Sequence, residues 1–217
     1  MLLEQVQERD VMLATLEKQY FSIAGEGALK KVRAKAWDHF LELGLPDRNS
    51  EVFRYFPLHQ LYASSFNFAE LTEVCEEDLQ SWIFPECRES VLVFVNGRFH
   101  EGLSNTSSLP KQVVVSPLSK AVKTYSGFLM NRWAKAMKEE TDAFAVLNAA
   151  LHQEGAFVYV PPKTVFSSPI QVLNVISCTE KNSIVLPRLH VFCGSQSEIT
   201  LVNDTALLAG EDYFLNQ

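Results

Sequence analysis

Apolar residues recur at steps of three, four and seven along the first part of the chain, which predicts amphipathic helices. One such stripe runs from residue 2 to residue 23, where Gly25 and Gly27 interrupt it. A second runs from residue 29 to residue 43. Gly44 stands where a left-handed residue commonly ends a helix, and Pro46 blocks continuation. The N-terminal part is therefore predicted to be helical.

The pattern further along changes from helical to extended. Residues 90–99 predict a strand that ends in an Asn-Gly turn, a strong hairpin signal. Residues 111–117 predict a short strand, and residues 119–140 predict helix. A last helix is predicted from a cap at Thr141 or Asp142 to the stop at Gly155. Beyond it only strands are predicted, with onsets near residues 156, 170, 189, 199 and 213.

These late strands are separated by short turns that leave no room for crossover helices. Two architectures fit this spacing, an antiparallel sandwich and a parallel β-helix, and periodicity does not choose between them. We divide the chain into residues 1–90 as a helical domain, residues 91–154 as a mixed connector, and residues 155–217 as a strand region.

Composition and charge narrow the classes of function. The net charge is −7 over 217 residues, which argues against nucleic acid as a partner because phosphate contacts need clustered Lys and Arg. Early acidic residues rule out a secretory signal, and no uncharged apolar run is long enough to span a membrane. The four cysteines have no paired spacing. We expect a cytoplasmic protein with no membrane partner.

No group of residues predicts chemistry by its spacing. The five histidines are never three to five residues apart, so no local metal site is predicted. Cys178 and Cys193 would approach each other only on stacked strands, with His190 as a third donor, and both are predicted to be small buried apolar residues. Glu139, Glu140 and Asp142 are predicted to be solvated. No residue is assigned as catalytic, cofactor-binding or metal-ligating; the histidines are His39, His59, His100, His152 and His190.

Several motifs carry one family resemblance. The run FAVLNAALHQEGAFVYVP at residues 144–161, followed by SPI at 168–170, resembles the shared motif of the SufB/SufD family. Pro187-Arg188, Gly194 and EITLV at 198–202 resemble the family's next motif. GLP at 44–46, Arg48, Glu51 and YFPL at 55–58 resemble the SufD-type N-terminal signature, with Phe53-Arg54 where that signature has Trp-Lys.

The resemblance implies an α+β fold, in which an N-terminal helical domain precedes the first coils of a right-handed parallel β-helix. It implies a non-catalytic scaffold of the SUF iron–sulfur cluster assembly system, acting with SufB-like and SufC-like proteins. The cluster would be assembled by the complex, and this chain would hold no cofactor. Because family members continue well beyond residue 216, we expect a truncated product that self-associates through the open end of the β-helix.

A second class of function is an enzyme built on a β-helix, such as a polysaccharide lyase or hydrolase. Such an enzyme needs charged residues on an exposed face of the strands. The late strands offer only Arg188, Glu198 and Asp204 as charged candidates.

Overall fold

A computed structural model of the chain describes residues 2–23, 29–47 and 50–217, and of residues 2–7 it describes only the backbone. The long N-terminal helices have the predicted bounds: α1 is Leu2–Ile23 and α2 is Lys30–Leu43. Gly44 follows α2 with a φ of +69°, as expected of a terminating glycine. Gly25, Gly27 and Arg48 lie outside the described residues. The remaining helices are α3 (Leu58–Tyr62), α4 (Glu76–Leu79), α5 (Leu118–Thr124), α6 (Ser126–Glu139) and α7 (Ala143–Leu151).

Helix α7 lies at the centre of the largest apolar core. Eight of its nine residues are buried, and it packs against α1 and α2. Its start is fixed by Asp142, whose Oδ1 accepts hydrogen bonds from the backbone N–H groups of Phe144 (2.8 Å) and Ala145 (3.4 Å). In the same core the rings of Tyr20 and Trp37 stack 4.5 Å apart and nearly parallel. The helical layer is therefore held by burial on several faces of one short helix.

In the described ranges, ten strands form three small sheets. They are β1 (Asn67–Phe68), β2 (Val91–Val95), β3 (Arg98–Phe99), β4 (Val114–Pro117), β5 (Ala156–Val160), β6 (Val165–Ser177), β7 (Ser183–Val185), β8 (Leu189–Cys193), β9 (Glu198–Ala209) and β10 (Tyr213–Leu215). The sheet orders are β1-β7-β10, β3-β2-β6-β9 and β4-β5-β8. Strands β5, β6 and β7 pair in parallel with β8, β9 and β10 respectively, so the chain passes through the three sheets twice in the same order.

The predicted Asn-Gly hairpin is confirmed. Strand β2 pairs with β3 in antiparallel fashion through a two-residue turn, in which Asn96 (φ +47°) and Gly97 (φ +81°) both have positive φ. A Cβ on Gly97 would lie 2.6 Å from the backbone nitrogen of Leu186, so only glycine fits here. The Asn96 side chain bonds Ser177 in both directions, donating to its carbonyl (2.9 Å) and accepting from its N–H (2.8 Å).

The predicted α+β fold with the first coils of a right-handed parallel β-helix is wrong. Within the described residues the fold is mixed α/β, with three small sheets of mixed strand orientation and no closed or solenoid sheet. The prediction began the β-helix at residue 155 and placed residues 91–154 in a connector that leads into it. In the structure β6 also pairs with β2, β5 with β4, and β7 with β1, all from earlier segments. An apolar pattern shows that a strand is buried, but it does not identify the strands with which it pairs.

The local predictions hold better than the architecture. Five late strands begin at residues 156, 165, 189, 198 and 213, which confirms the five predicted onsets within five residues, whereas β7, which begins at Ser183, was not predicted. The helical stretch predicted at 119–140 is two helices that meet at Tyr125. The division into three domains stays a prediction, and so does the self-association, which loses the β-helix end it was based on. In the part of the chain that the structure describes, no helix has the length and apolar character needed to cross a membrane.

Candidate functional site

The side chains with the most strongly lowered pKa values lie where the end of α7 faces the start of β8. Trp133 comes from α6, Asn148 from α7, and His152 follows α7 directly. Arg188 and His190 come from the entry to β8. We call these five residues the Arg188 cluster. They come together because β8 lies beside β5, which follows α7 after a turn of four residues.

His190 lies between two hydrogen-bond donors. The Trp133 Nε1–H points at its Nδ1 (2.9 Å), and the Arg188 Nε–H points at its Nε2 (2.9 Å). Burial, followed by the charge of Arg188, lowers the pKa of His190 to about 3, so the ring is neutral at pH 7. A neutral imidazole accepts at only one nitrogen, so one of these two N–H groups faces a protonated nitrogen.

His152 is fully buried beside the same arginine. Its Nδ1 lies 3.2 Å from the carbonyl oxygen of Asn148 and 3.1 Å from that of Ala149, so Nδ1 carries the proton and donates. Its Nε2 therefore has a lone pair, and this buried atom has no hydrogen-bond partner among the residues that the structure describes. Burial, then the charges of Arg188 and Arg33, lowers the pKa of His152 well below its usual value. The ring is a neutral base enclosed among cations.

Arg188 carries the positive charge of the cluster without an acidic partner in contact. Its Nη1 donates to Asn148 Oδ1 (3.0 Å) and its Nε faces His190. Over the described residues, no carboxylate oxygen lies within 4.0 Å of its guanidinium. Burial lowers the pKa of Arg188 to about 10, while Glu140 acts in the opposite direction from further away. The Asn148 amide is held in turn by the carbonyl oxygens of Pro187 (3.0 Å) and Asn216 (2.7 Å).

A cavity of about 290 Å³ opens beside the Arg188 cluster. Trp133, Arg188 and His190 form part of its wall. The other lining residues come mainly from α6 and include both charged and apolar side chains: Val32, Arg132, Lys135, Ala136, Met137, Glu139, Ala149 and Phe192.

Of the two cysteines that were predicted to be buried, one is buried and the other is exposed. Cys178 is buried, and burial raises the pKa of its thiol, as expected of an inert small residue. Cys193 is exposed at the end of β8, so its predicted burial is wrong. This strand lies at the edge of its sheet, which leaves an apolar residue partly accessible. Among residues 2–23, 29–47 and 50–217, no three His, Cys, Asp or Glu side chains are grouped as a metal site would require.

The remaining histidines and acids lie apart. His59 is exposed, His100 Nδ1 accepts from the N–H of Leu103, and His39 Nε2 contacts the Glu140 carbonyl oxygen (2.9 Å). Glu140 and Asp142 cap local backbone N–H groups. Sequence reasoning missed the Arg188 cluster, although Arg-x-His at a strand entry, after a helix that ends in His, was a usable signal.

Two comparisons with known proteins concern the family of the chain. The model of the SufBD protein N-terminal region matches residues 12–172, most of the chain. The chain belongs to the SufBD family. A SufBD family iron–sulfur cluster assembly protein of Synechocystis sp. is 28% identical over 195 residues, covering 89% of this chain and 43% of the relative. The iron–sulfur cluster assembly protein SufB of Bacillus subtilis is 24% identical over 160 residues, covering 64% of this chain and 32% of that protein.

The SufBD chain thus spans less than half the length of the curated relatives it matches. The match confirms the family that the motifs at 144–161 and 168–170 indicated. Two of the five residues of the Arg188 cluster, Asn148 and His152, belong to the first of these motifs. Arg188 and His190 lie beyond the matched region, which ends at residue 172.

Proposed function

We propose that the chain is a SufD-like, non-catalytic scaffold component that takes part in iron–sulfur cluster assembly together with SufB-like and SufC-like proteins. The observation that carries this proposal is the family match over residues 12–172. The SufD-type signature at 44–46 and 55–58 favours SufD over SufB. The same proposal includes a cytoplasmic location, which the four free cysteines support, because thiols stay reduced there.

The environments of the thiols support a scaffold that holds no cluster by itself. Cys75 and Cys193 are exposed, while Cys87 and Cys178 are buried, and burial raises the pKa of both buried thiols. A thiol binds a metal as the thiolate, so a raised pKa opposes ligation. This disfavours the two buried thiols as ligands and supports a cluster that is held by ligands from partner proteins.

The alternative of a polysaccharide lyase or hydrolase receives no support from the placement of its candidates. Glu198 and Asp204 both lie on β9, six residues apart, which is roughly 20 Å along a strand. The carboxyl pair of a glycosidase is about 5–9.5 Å apart. Arg188 is engaged with His190 and Asn148.

Co-expression with the SufB-like and SufC-like proteins of the same source tests the proposal. We expect the tagged chain to co-elute with both partners in size-exclusion chromatography, at a mass well above its own 24.5 kDa. Deletion of the coding sequence should lower the activity of iron–sulfur enzymes in the source cells, and the chain should restore it. Elution of the chain alone in the presence of both partners, with normal enzyme activities in the deletion strain, would contradict the proposal.

Anaerobic purification of the chain alone tests its lack of a cluster. We expect less than stoichiometric iron and no charge-transfer absorption after incubation with ferrous iron and sulfide. The variant C75S/C193S is the matched control, because both thiols are exposed and the substitution leaves the core intact. A tightly held cluster in the unmodified chain that is lost in C75S/C193S would show that the chain ligates the cluster itself.

A further inference from the structure

We propose that the cavity beside the Arg188 cluster binds a small organic oxyanion, a carboxylate or phosphate monoester that carries a compact apolar or aromatic group. The site lies between α6 and the entry to β8, and its wall includes Trp133, Arg188 and His190. The inference rests on this cavity and does not depend on a role in iron–sulfur cluster assembly.

Arg188 has hydrogen-bonding capacity that its described neighbours do not use. A guanidinium has five N–H donors. Within the described part of the chain, only two of them have partners, one at Asn148 Oδ1 and one at His190 Nε2. The Nη2 atom is without a partner among the described residues, and Arg188 lines the cavity. A carboxylate or phosphate oxygen is the acceptor that fits a guanidinium edge, because it can accept two parallel N–H bonds.

The cavity wall has more cationic than anionic side chains. Three cationic side chains line it, Arg132, Lys135 and Arg188, against the single carboxylate of Glu139, which is exposed. The wall therefore has a net charge of +2 on a chain whose net charge is −7. His190 adds no charge, since burial and Arg188 keep it neutral. A partly buried charge without a counter-ion costs free energy, and a bound anion would remove that cost.

The apolar part of the wall selects the part of the ligand that lies outside its anionic group. Trp133 and Phe192 present aromatic surface, and Val32, Met137 and Ala149 add aliphatic surface. Phe192 is itself held by Phe128, with ring centroids 4.9 Å apart. The volume of about 290 Å³ is at the lower end of the range for small-molecule sites. A single ring or short chain with one anionic group matches this size and lining.

The experiment follows the indole N–H resonance of Trp133 in ¹H–¹⁵N correlation spectra, one of only three indole signals in the chain. The probes are phenyl phosphate, phenylacetate, inorganic phosphate and the uncharged benzyl alcohol. We expect saturable shifts with phenyl phosphate or phenylacetate and a much weaker response to benzyl alcohol. The stronger of the two organic anions identifies the preferred head group, and a weaker response to inorganic phosphate would show that the apolar wall contributes.

Matched variants locate the binding. R188Q should weaken the affinity roughly 10- to 100-fold, as expected for a charge-assisted hydrogen bond. R132Q/K135Q removes two exposed charges without touching the core and should weaken it roughly two- to fivefold per charge. R54Q removes an exposed arginine that does not line the cavity and should leave affinity unchanged.

The outcomes decide the proposal even where R188Q fails to fold, because R132Q/K135Q then carries the test. Equal responses to phenylacetate and benzyl alcohol would overturn the proposal, since the site would not select charge. Unchanged affinity in R132Q/K135Q, or the absence of any saturable shift, would overturn it as well. None of these results bears on co-elution with SufB-like and SufC-like proteins, so the two proposals fail separately.

Discussion

The two neutral histidines of the Arg188 cluster predict that the folded state loses stability in mild acid. The pKa of His190 is lowered from about 6.5 in an unfolded chain to about 3 in the folded state. Above its unfolded-state pKa, a histidine of this kind is neutral in both states, and the free energy of unfolding is unchanged. As the pH falls below the unfolded-state pKa, the free energy of unfolding decreases, because the unfolded state takes up the proton first. The relevant window therefore runs from about pH 6.5 down to about pH 3.

The magnitude follows from the same pKa values. Between pH 7.5 and pH 5.0, a shift from 6.5 to 3 removes about 2 kcal/mol from the free energy of unfolding. This is an upper value for His190, since its ring is partly exposed. His152 acts in the same direction, because burial and the neighbouring arginines also lower its pKa.

Urea denaturation followed by circular dichroism at both pH values measures this loss. The variant H190Q should be less stable at pH 7.5, yet its loss between the two pH values should be about 2 kcal/mol smaller than that of the unmodified chain. H59Q is the control, because His59 is exposed, and it should keep the full pH dependence. Equal pH dependence in H190Q and the unmodified chain would refute the assignment of a neutral, partly buried His190.

Three further results are expected. G194A should lower the free energy of unfolding by about 1–3 kcal/mol, because its Cβ would lie 2.6 Å from Cδ of Pro162; G127A, with open space around the added atom, should cause no loss in the same urea assay. N96A should be less stable than N96G, because both lose the bonds to Ser177 while glycine tolerates the positive φ; equal stability would exclude backbone strain at this turn. Titration with a thiol reagent should modify two thiols quickly in the native state and the other two only in urea, the fast pair being Cys75 and Cys193 and the slow pair Cys87 and Cys178.

Local chemistry explains which parts of the fold could be predicted from the sequence. Asp142 as a helix cap, Gly44 as a helix end and Asn96-Gly97 as a hairpin turn each depend on a few neighbouring residues, and all three are confirmed. The pairing of strands depends on their hydrogen-bonding edges, and the hydrophobic pattern does not specify which edges meet. Strand β2 has all five residues buried, a pattern that fits a neighbour before or after it in the chain equally well.

The Arg188 cluster was missed for a related reason. Its five residues come from three segments, with Trp133 and His190 separated by 57 positions. Sequence spacing identifies a site only when its residues share one helix or one turn. The exposure of Cys193 was missed because a strand at a sheet edge leaves one side accessible whatever its composition.

The buried hairpin of β2 and β3 also fixes an order of events during synthesis of the chain. Ser177, which bonds the side chain of Asn96, lies 81 residues later. At about 5–20 residues per second, the ribosome needs roughly 4–16 s to make that stretch. Throughout that time the uncharged segment VLVFV of β2 is without its neighbour β6 and has the composition of an aggregation-prone strand. Until β6 emerges, the edge of β2 that pairs with β6 is therefore open to pairing with other chains.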